Sequence, residues 1–377
     1  MNLKVDDLIN VRLLENHNSG CGFNDINLTI PSDFLNEYYC SEDQINIKVK
    51  WENKEYCLNL DSMSKMQKLD LVSCLRTFRM FTDAPITSRL PFPYQWIPQI
   101  IRILLARIIW KRNRSNKHLR AKFPSFPLDL SVDILSDIFS INHSKLSPTP
   151  VLLTHDIDNL ESFDNLGLFL KEEEGVGAKS TNFIVPFKWK LNHNMLSDVR
   201  GRGHEIGIHG FDHNNRTPFL GEPEINRRLS KIRPLIEKYD IVGYRSPSLL
   251  RTNKLLNVLS KFFKYDSSVP TSGWPFPSQD NGCATARIFE FEGIYEIPLS
   301  MPRDAGLLFL GYKPNEILDL WIKCAQIISE SGGVIVLLTH CEKCYSGNST
   351  MLSVYRELLQ YLKSDDRFTF KTCKELL

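Results

Sequence analysis

The chain has 377 residues, 42% of them hydrophobic, with a formal net charge of +2. That is enough apolar material for a packed core and suggests two domains or one large one. The near-balanced charge points to no polyanionic partner. With no basic patch interleaved with aromatics and no nucleic-acid motif, nucleic-acid binding is not expected.

The opening segment places Asp6 and Asp7 early, has no long apolar run and shows no small-residue cleavage site. A secretory signal is therefore not expected. No window reaches the roughly 18 apolar residues of a membrane-spanning helix. The nine cysteines are scattered over the chain, which fits free thiols and a cytoplasmic protein.

Residues 1–122 read as a smaller α+β unit. Ile45, Ile47, Val49 and Trp51 alternate with Asn46, Lys48 and Lys50, the period-2 pattern of a strand with one buried face. The turn Glu52-Asn53-Lys54 leads into Tyr56-Cys57-Leu58, so a hairpin is expected. Ser62 to about Phe81 reads as a helix. Trp96 to Trp110 is an apolar helical run interrupted by Arg102 and Arg107, inside a stretch from Ala84 to Leu128 with nine Lys/Arg and no acid. The expected arrangement docks its apolar face and leaves the arginines in solvent. Basic amphipathic stretches also suit anionic membrane surfaces or a lipid-linked substrate. Residues 123–150, with prolines at 124, 127, 148 and 150, read as a linker.

From Val151 onward strands and helices alternate. Val151-Leu152-Leu153 and Val334-Ile335-Val336-Leu337-Leu338 are continuous apolar runs, as expected for strands buried on both faces. Helices are predicted near Glu222–Tyr239, where Pro234 is a candidate kink, and over Pro314–Glu330. This alternation predicts an α/β architecture, barrel or open sheet.

Four short segments carry candidate chemistry. In Thr154-His155-Asp156-Ile157-Asp158, the two carboxylates lie two residues apart and share a face at a strand's C-terminal end. By itself this pair reads equally as a turn whose Asp side chains cap backbone amides. In His209-Gly210-Phe211-Asp212-His213, two histidines four apart would reach one cation from one face of a helical turn. A pair of exposed loop histidines is the alternative. Leu338-Thr339-His340 ends a late strand on a histidine, and Tyr244-Arg245-Ser246-Pro247 places an arginine after a short one. His155, one residue out of phase with the aspartates, is expected to pack away from them. Cys341-Glu342-Lys343-Cys344 lacks a second pair for structural zinc, so loop thiols without function are expected.

In this order and spacing, the segments resemble the polysaccharide deacetylase family (carbohydrate esterase family 4, the NodB-homology domain). The resemblance covers about Val151 to Leu377 and implies a distorted (β/α) barrel of the NodB-homology type, preceded by the smaller α+β unit. It implies Asp158, His209 and His213 as ligands of a divalent metal, with zinc best suited to two His and a carboxylate. Asp156 would be the general base, Arg245 its orienting partner and His340 the general acid. Asp266, in Tyr265-Asp266-Ser267-Ser268, would tune that acid. The implied substrate is an N-acetylated sugar or polysaccharide precursor, and the implied reaction is hydrolysis of its acetamide. The sequence departs from the family where Thr-Phe-Asp-Asp becomes Thr-His-Asp-Ile-Asp, where Gly210 replaces Ser or Thr, and where Arg-Pro-Pro-Tyr becomes Arg-Ser-Pro-Ser. Trp274 is a loose candidate for the family's tryptophan. A glycosyltransferase using Asp156 and Asp158, and a non-catalytic carbohydrate-binding homologue, are the competing expectations.

Overall fold

A computed structural model describes residues 147–271 and 286–377, apart from Glu292 and Leu310, together with parts of 10–108. The sequence expectations for the helix after Ser62 and for Trp274 fall outside the described residues.

Four strands come first: β1 (Asn10–Leu13), β2 (Asn24–Thr29), β3 (Asn46–Trp51) and β4 (Lys54–Asn59). β3 and β4 form the expected hairpin, with Trp51 opposite Lys54. A short helix, α1 (Ile86–Arg89), follows. The α/β region then runs β5 (Thr149–Ile157), α2 (Leu160–Gly175), β6 (Ser180–Ile184), α3 (His193–Gly201), β7 (Glu205–His209), α4 (Glu222–Tyr239), β8 (Gly243–Arg245), α5 (Asn253–Leu259), β9 (Tyr265–Asp266), β10 (Phe289–Phe291) and β11 (Ile294–Glu296). It ends with α6 (Asp304–Phe309), α7 (Pro314–Ser331), β12 (Ile335–His340), α8 (Ser349–Lys363) and β13 (Phe368–Phe370).

The strands join one sheet, β12-β5-β6-β7-β8-β9-β11-β10-β1-β2-β3-β4, with β13 also on β5. Every neighbour from β12 to β11 is parallel. Right-handed strand–helix–strand crossovers wrap such a sheet with helices, and the result is a distorted (β/α) barrel. β1 continues the sheet by pairing Arg12 with Glu290 and Leu13 with Phe289 of β10.

Strand alternation sorts side chains between two cores. Val151, Leu153 and Ile157 of β5 face the helices, packing with Phe163, Leu166, Phe169 and Leu170 of α2. Leu152 faces the barrel interior with Phe183, Val336 and Leu338. On that inner phase Thr154, Asp156 and Asp158 follow Leu152, and His340 follows Leu338. The same alternation sends His155 outward, as its phase predicts. There Nε2 meets Glu173 Oε1 at 2.6 Å and Nδ1 meets Thr339 Oγ1 at 2.8 Å.

Local chemistry sets the helix ends. Asn159 caps α2 by accepting Ser162 N–H at 2.9 Å, directly after the Asp158 turn. Asn348 does the same for α8 through Met351 N–H. Pro314 starts α7 and Gly332 ends it in the left-handed region at φ 74°, the usual place for glycine after a helix. α4 runs unbroken through Pro234, burying Ile225, Leu229 and Ile232 on one side.

The segment around Ile100 departs from expectation. Residues 100, 101, 104, 105 and 108 are helical. Their side chains are not docked, however: Ile100 is 81% exposed, Leu104 57% and Ile108 56%.

Candidate active site

The site lies at the C-terminal ends of β5, β7, β8 and β12, where parallel strands leave their loops. Asp158 sits one residue past β5. Its Oδ1 is 3.1 Å from His209 Nε2 and 3.0 Å from His213 Nε2. The donor atoms of these three residues lie within 4.8 Å of one another.

The two histidines do not share a helical turn, contrary to the sequence expectation. His209 is the last residue of β7, and the chain then bends. Gly210 takes φ 70°, and a Cβ there would stand 2.5 Å from Pro247 Cδ. The bend thus needs glycine twice over, for its dihedral and for its contact with Pro247. His213 itself holds φ 59°, a left-handed conformation costing a non-glycine residue about 1–3 kcal/mol. That local strain turns its imidazole back toward His209, with ring centroids 5.2 Å apart.

The tautomer of His209 follows from its neighbours. Nδ1 is 3.0 Å from the Arg245 carbonyl oxygen, which can only accept, so Nδ1 carries the hydrogen. In the neutral ring Nε2 therefore turns a lone pair toward Asp158. Asp158 Oδ1 is buried and lacks a hydrogen-bond partner. A ring lone pair, a second imidazole and an orphaned carboxylate oxygen converging on one point form a donor set that suits a divalent cation.

Asp156 stands beside this set, with Oδ2 3.6 Å from His209 Nε2. Its other oxygen accepts Arg245 Nη1 at 3.1 Å. Arg245 is fully buried. It also donates to Thr154 Oγ1, Ser267 O and Ser267 Oγ at 2.8–2.9 Å, and its guanidinium stacks 4.2 Å over the Phe183 ring. It is not a solvated surface arginine. Its carbonyl orients His209 while its side chain orients Asp156.

His340 ends β12, beside Asp156 in register. Its Nδ1 is 2.7 Å from Asp304 Oδ1, and its backbone N–H donates to Asp304 Oδ2 at 2.8 Å. Ser346 Oγ adds a third bond to that carboxylate at 2.7 Å. Burial pushes the imidazole pKa down, but the Asp304 charge and hydrogen bond outweigh it, raising it to about 10.

This corrects the expected tuning residue. Asp266 accepts Ser268 N–H at 3.0 Å and Ser268 Oγ at 2.7 Å. Burial raises its pKa and that of neighbouring Glu296, whose carboxyl is pushed well above its usual range. The pair braces the β9–β11 edge, and the partner of His340 is Asp304. Reading the sequence missed Asp304 because it is 36 residues from His340 and precedes a short helix, where an Asp reads as a cap. Trp321 Nε1 fixes that loop by donating to Pro302 O at 2.9 Å. Glu342 was also missed. It accepts Asn159 Nδ2 at 2.9 Å, and burial beside Asp158 pushes its carboxyl up to about 7.

Cys341 is a buried free thiol, and Cys344 is exposed. Burial keeps the Cys341 thiol well above its ordinary pKa and pushes the Cys344 thiol up to about 12, so neither supplies a thiolate.

Residues 143–262 match the family model described as polysaccharide deacetylase. No curated protein sequence matches the chain. Among solved structures, a Mycobacterium smegmatis protein assigned as a polysaccharide deacetylase aligns with a TM-score of 0.50 at 18% identity, covering 63% of this chain and 91% of its own. A Pseudomonas aeruginosa PAO1 protein with the same assignment aligns at 0.49 and 13% identity, covering 61% and 90%. A CE4 family pseudoenzyme from Bacillus anthracis aligns at 0.40 and 16% identity, covering 61% and 69%. The fold is a distorted (β/α) barrel like that of the Mycobacterium smegmatis protein, and residues 143–262 carry the similarity to the polysaccharide deacetylase family.

Proposed function

We propose that this protein is a metal-dependent hydrolase that removes an acetyl group from an N-acetylated sugar. The observation that carries this reading is the convergence of His209, His213 and the orphaned Asp158 oxygen beside Asp156, with His340 at the end of the adjoining strand. Asp158, His209 and His213 would hold a divalent cation, and zinc fits two imidazoles and one carboxylate. Such a cation supplies Lewis acidity for the acetyl carbonyl and lowers the pKa of attacking water.

Asp156 acts as general base, taking the proton as water attacks the amide carbon. Arg245 keeps that carboxylate aimed. His340, charged by Asp304, acts as general acid and protonates the departing amine. An amine leaves poorly as its anion, so an acid held apart from the base meets the main demand of amide hydrolysis. A glycosyltransferase reading leaves His209, His213 and His340 without work, and a non-catalytic reading leaves base and acid intact without use.

Residues from β5 onward would form the catalytic unit, whose sheet β1–β4 extend through the β1–β10 pairing. Cys324, Cys341 and Cys373 are buried free thiols, which supports a cytoplasmic setting and an intracellular precursor as substrate.

The test is metal content and acetate release on a panel of N-acetyl sugars, wild type against His209→Ala/His213→Ala and Asp156→Asn. The expected result is loss of metal in the double variant and loss of acetate release in both. Metal retained without the histidines rejects the site. Unchanged acetate release in Asp156→Asn rejects the base.

A further inference from the structure

Among the described residues, ten large apolar side chains stand exposed, and seven of them fall between Ile86 and Ile108. Five form one helical face: Ile100 at 81% exposure, Ile101 at 47%, Leu104 at 57%, Leu105 at 48% and Ile108 at 56%. Spacings of one, four, five and eight residues put these side chains on one side of a helix. Ile86 is 80% and Trp96 75% exposed ahead of it. Soluble surfaces scatter such residues singly, and a contiguous cluster marks a place of contact.

The charge of the same stretch says what it contacts. From Ala84 to Leu128 there are nine Lys/Arg and no Asp or Glu, while the whole chain carries only +2. Arg102 and Arg107 interrupt the apolar run, and Lys111, Arg112, Arg114, Lys117, Arg120 and Lys122 follow it. A nucleic acid would satisfy the charge but offers nothing to five aliphatic side chains. A neutral apolar partner would cover the side chains but leave the charge unanswered. An anionic bilayer surface meets both, since acyl chains receive the aliphatic face and headgroups receive the basic side chains. Exposed tryptophan suits the boundary between them. No helix among the described residues is long and apolar enough to cross a membrane.

We propose that the helical face formed by Ile100, Ile101, Leu104, Leu105 and Ile108 docks this protein on an anionic lipid surface, these side chains entering the acyl boundary. The docking is independent of the catalytic reading and is measured without it.

The experiment is co-sedimentation of the full chain with phosphatidylcholine vesicles and with vesicles containing about one third phosphatidylglycerol, at about 0.1 M and about 1 M salt. Three proteins are compared: wild type, Ile100→Asp/Leu104→Asp, and Lys111→Gln/Arg112→Gln/Arg114→Gln. Wild type is expected to pellet with the anionic vesicles only, and less at high salt. The aspartate variant is expected to lose binding at both salts. The glutamine variant is expected to bind more weakly at low salt and to lose most of its salt dependence. Both variants should keep the wild-type melting temperature. Equal pelleting with neutral and anionic vesicles, or none, overturns the proposal. So does an aspartate variant that pellets like wild type, or one that converts a dimer to a monomer while vesicle binding persists. The last result would assign the face to a second copy.

Discussion

His340 and Asp304 are joined twice, through the imidazole Nδ1 at 2.7 Å and through the His340 backbone N–H at 2.8 Å. One carboxylate thus fixes the ring's position and holds its charge. The Nδ1–H is committed to Asp304, so Nε2 is the nitrogen with a proton to give. The folded-state pKa is raised to about 10. The protonated form is therefore complete below the ordinary histidine value and is lost only as pH rises through the raised one. Asp304→Asn removes the charge and moves the alkaline limb of the kcat profile toward an ordinary histidine pKa of about 6.5. At pH 7 that shift should lower kcat about fourfold, and by about tenfold more for each pH unit above it until the wild-type limb is reached. Asp266→Asn, away from the imidazole, should leave that limb in place. A pH–kcat profile of the three proteins decides this, and an Asp304→Asn profile superimposable on wild type would remove Asp304 from the chemistry.

Arg245 couples base and metal set through one residue, and lysine cannot reproduce that. Lysine keeps the charge but loses the fork that spans Thr154, Asp156 and Ser267 and the stack on Phe183. Arg245→Lys should lower kcat about 10²-fold by misplacing Asp156. Metal content should change little, because the His209 contact is made by the backbone carbonyl. Arg245→Met should also destabilise the fold by about 3–5 kcal/mol, since a buried Asp156 would lose its counter-charge. Thermal melts and metal stoichiometry separate the two effects, and loss of metal in Arg245→Lys would contradict the division.

Much of this site was legible in the sequence because β-strand phase is legible. Leu152, Thr154, Asp156 and Asp158 follow one face, and His155 falls on the other. Leu338 and His340 repeat the pattern on β12. The expected hairpin from Ile45 to Leu58 rests on the same period of two, and the helix at 222–239 on a period of about 3.6 residues. What failed was non-local or depended on backbone strain. Nothing in the segment Arg303-Asp304 signals a partner 36 residues later, whereas Asp266 follows a short strand as a site residue would. The i, i+4 spacing of His209 and His213 suggested a helix because left-handed dihedrals at Gly210 and His213 are not written in residue spacing. The apolar face around Ile100 was expected to dock because apolar helical faces usually do, and exposure is a property of the whole fold.

Gly210 makes a sharper test of the bend than either histidine. Alanine at φ 70° costs about 1–2 kcal/mol, and its methyl would also stand 2.5 Å from Pro247 Cδ. Gly210→Ala should lower the melting temperature and, by displacing His213, weaken metal retention, although no ligand is removed. Titration with a chelator should strip metal from Gly210→Ala at lower concentration than from wild type. Equal retention would mean that the bend has no part in holding His213.

Behind the site, on the outer phase of β5, Glu173 is fully buried between two histidines. It meets His155 Nε2 at 2.6 Å and His204 Nδ1 at 3.5 Å, and accepts Tyr355 OH at 2.8 Å. Burial raises its pKa, but His155 outweighs this with charge and hydrogen bond, helped by Ser180 and His204, and the net shift is downward. A carboxyl with a depressed folded pKa stabilises above its unfolded value of about 4.3, and that contribution fades as pH falls through the folded value. Over this window wild type should lose up to about 1.4 kcal/mol of stability per pH unit from this one group. Glu173→Gln removes the titration, so its stability should fall less steeply as pH drops below the unfolded value of about 4.3. At pH 7 the variant should be less stable than wild type, because His155 and Tyr355 lose a charged buried acceptor. Denaturant melts across pH test both statements, and an unchanged acid slope would show that Glu173 keeps an ordinary pKa in the folded protein. Because His155 and Asp156 are consecutive on β5, the same variant reports whether the outer network holds the strand. If it does, kcat falls with stability; if the inner bonds to Arg245 suffice, kcat at pH 7 stays at the wild-type level.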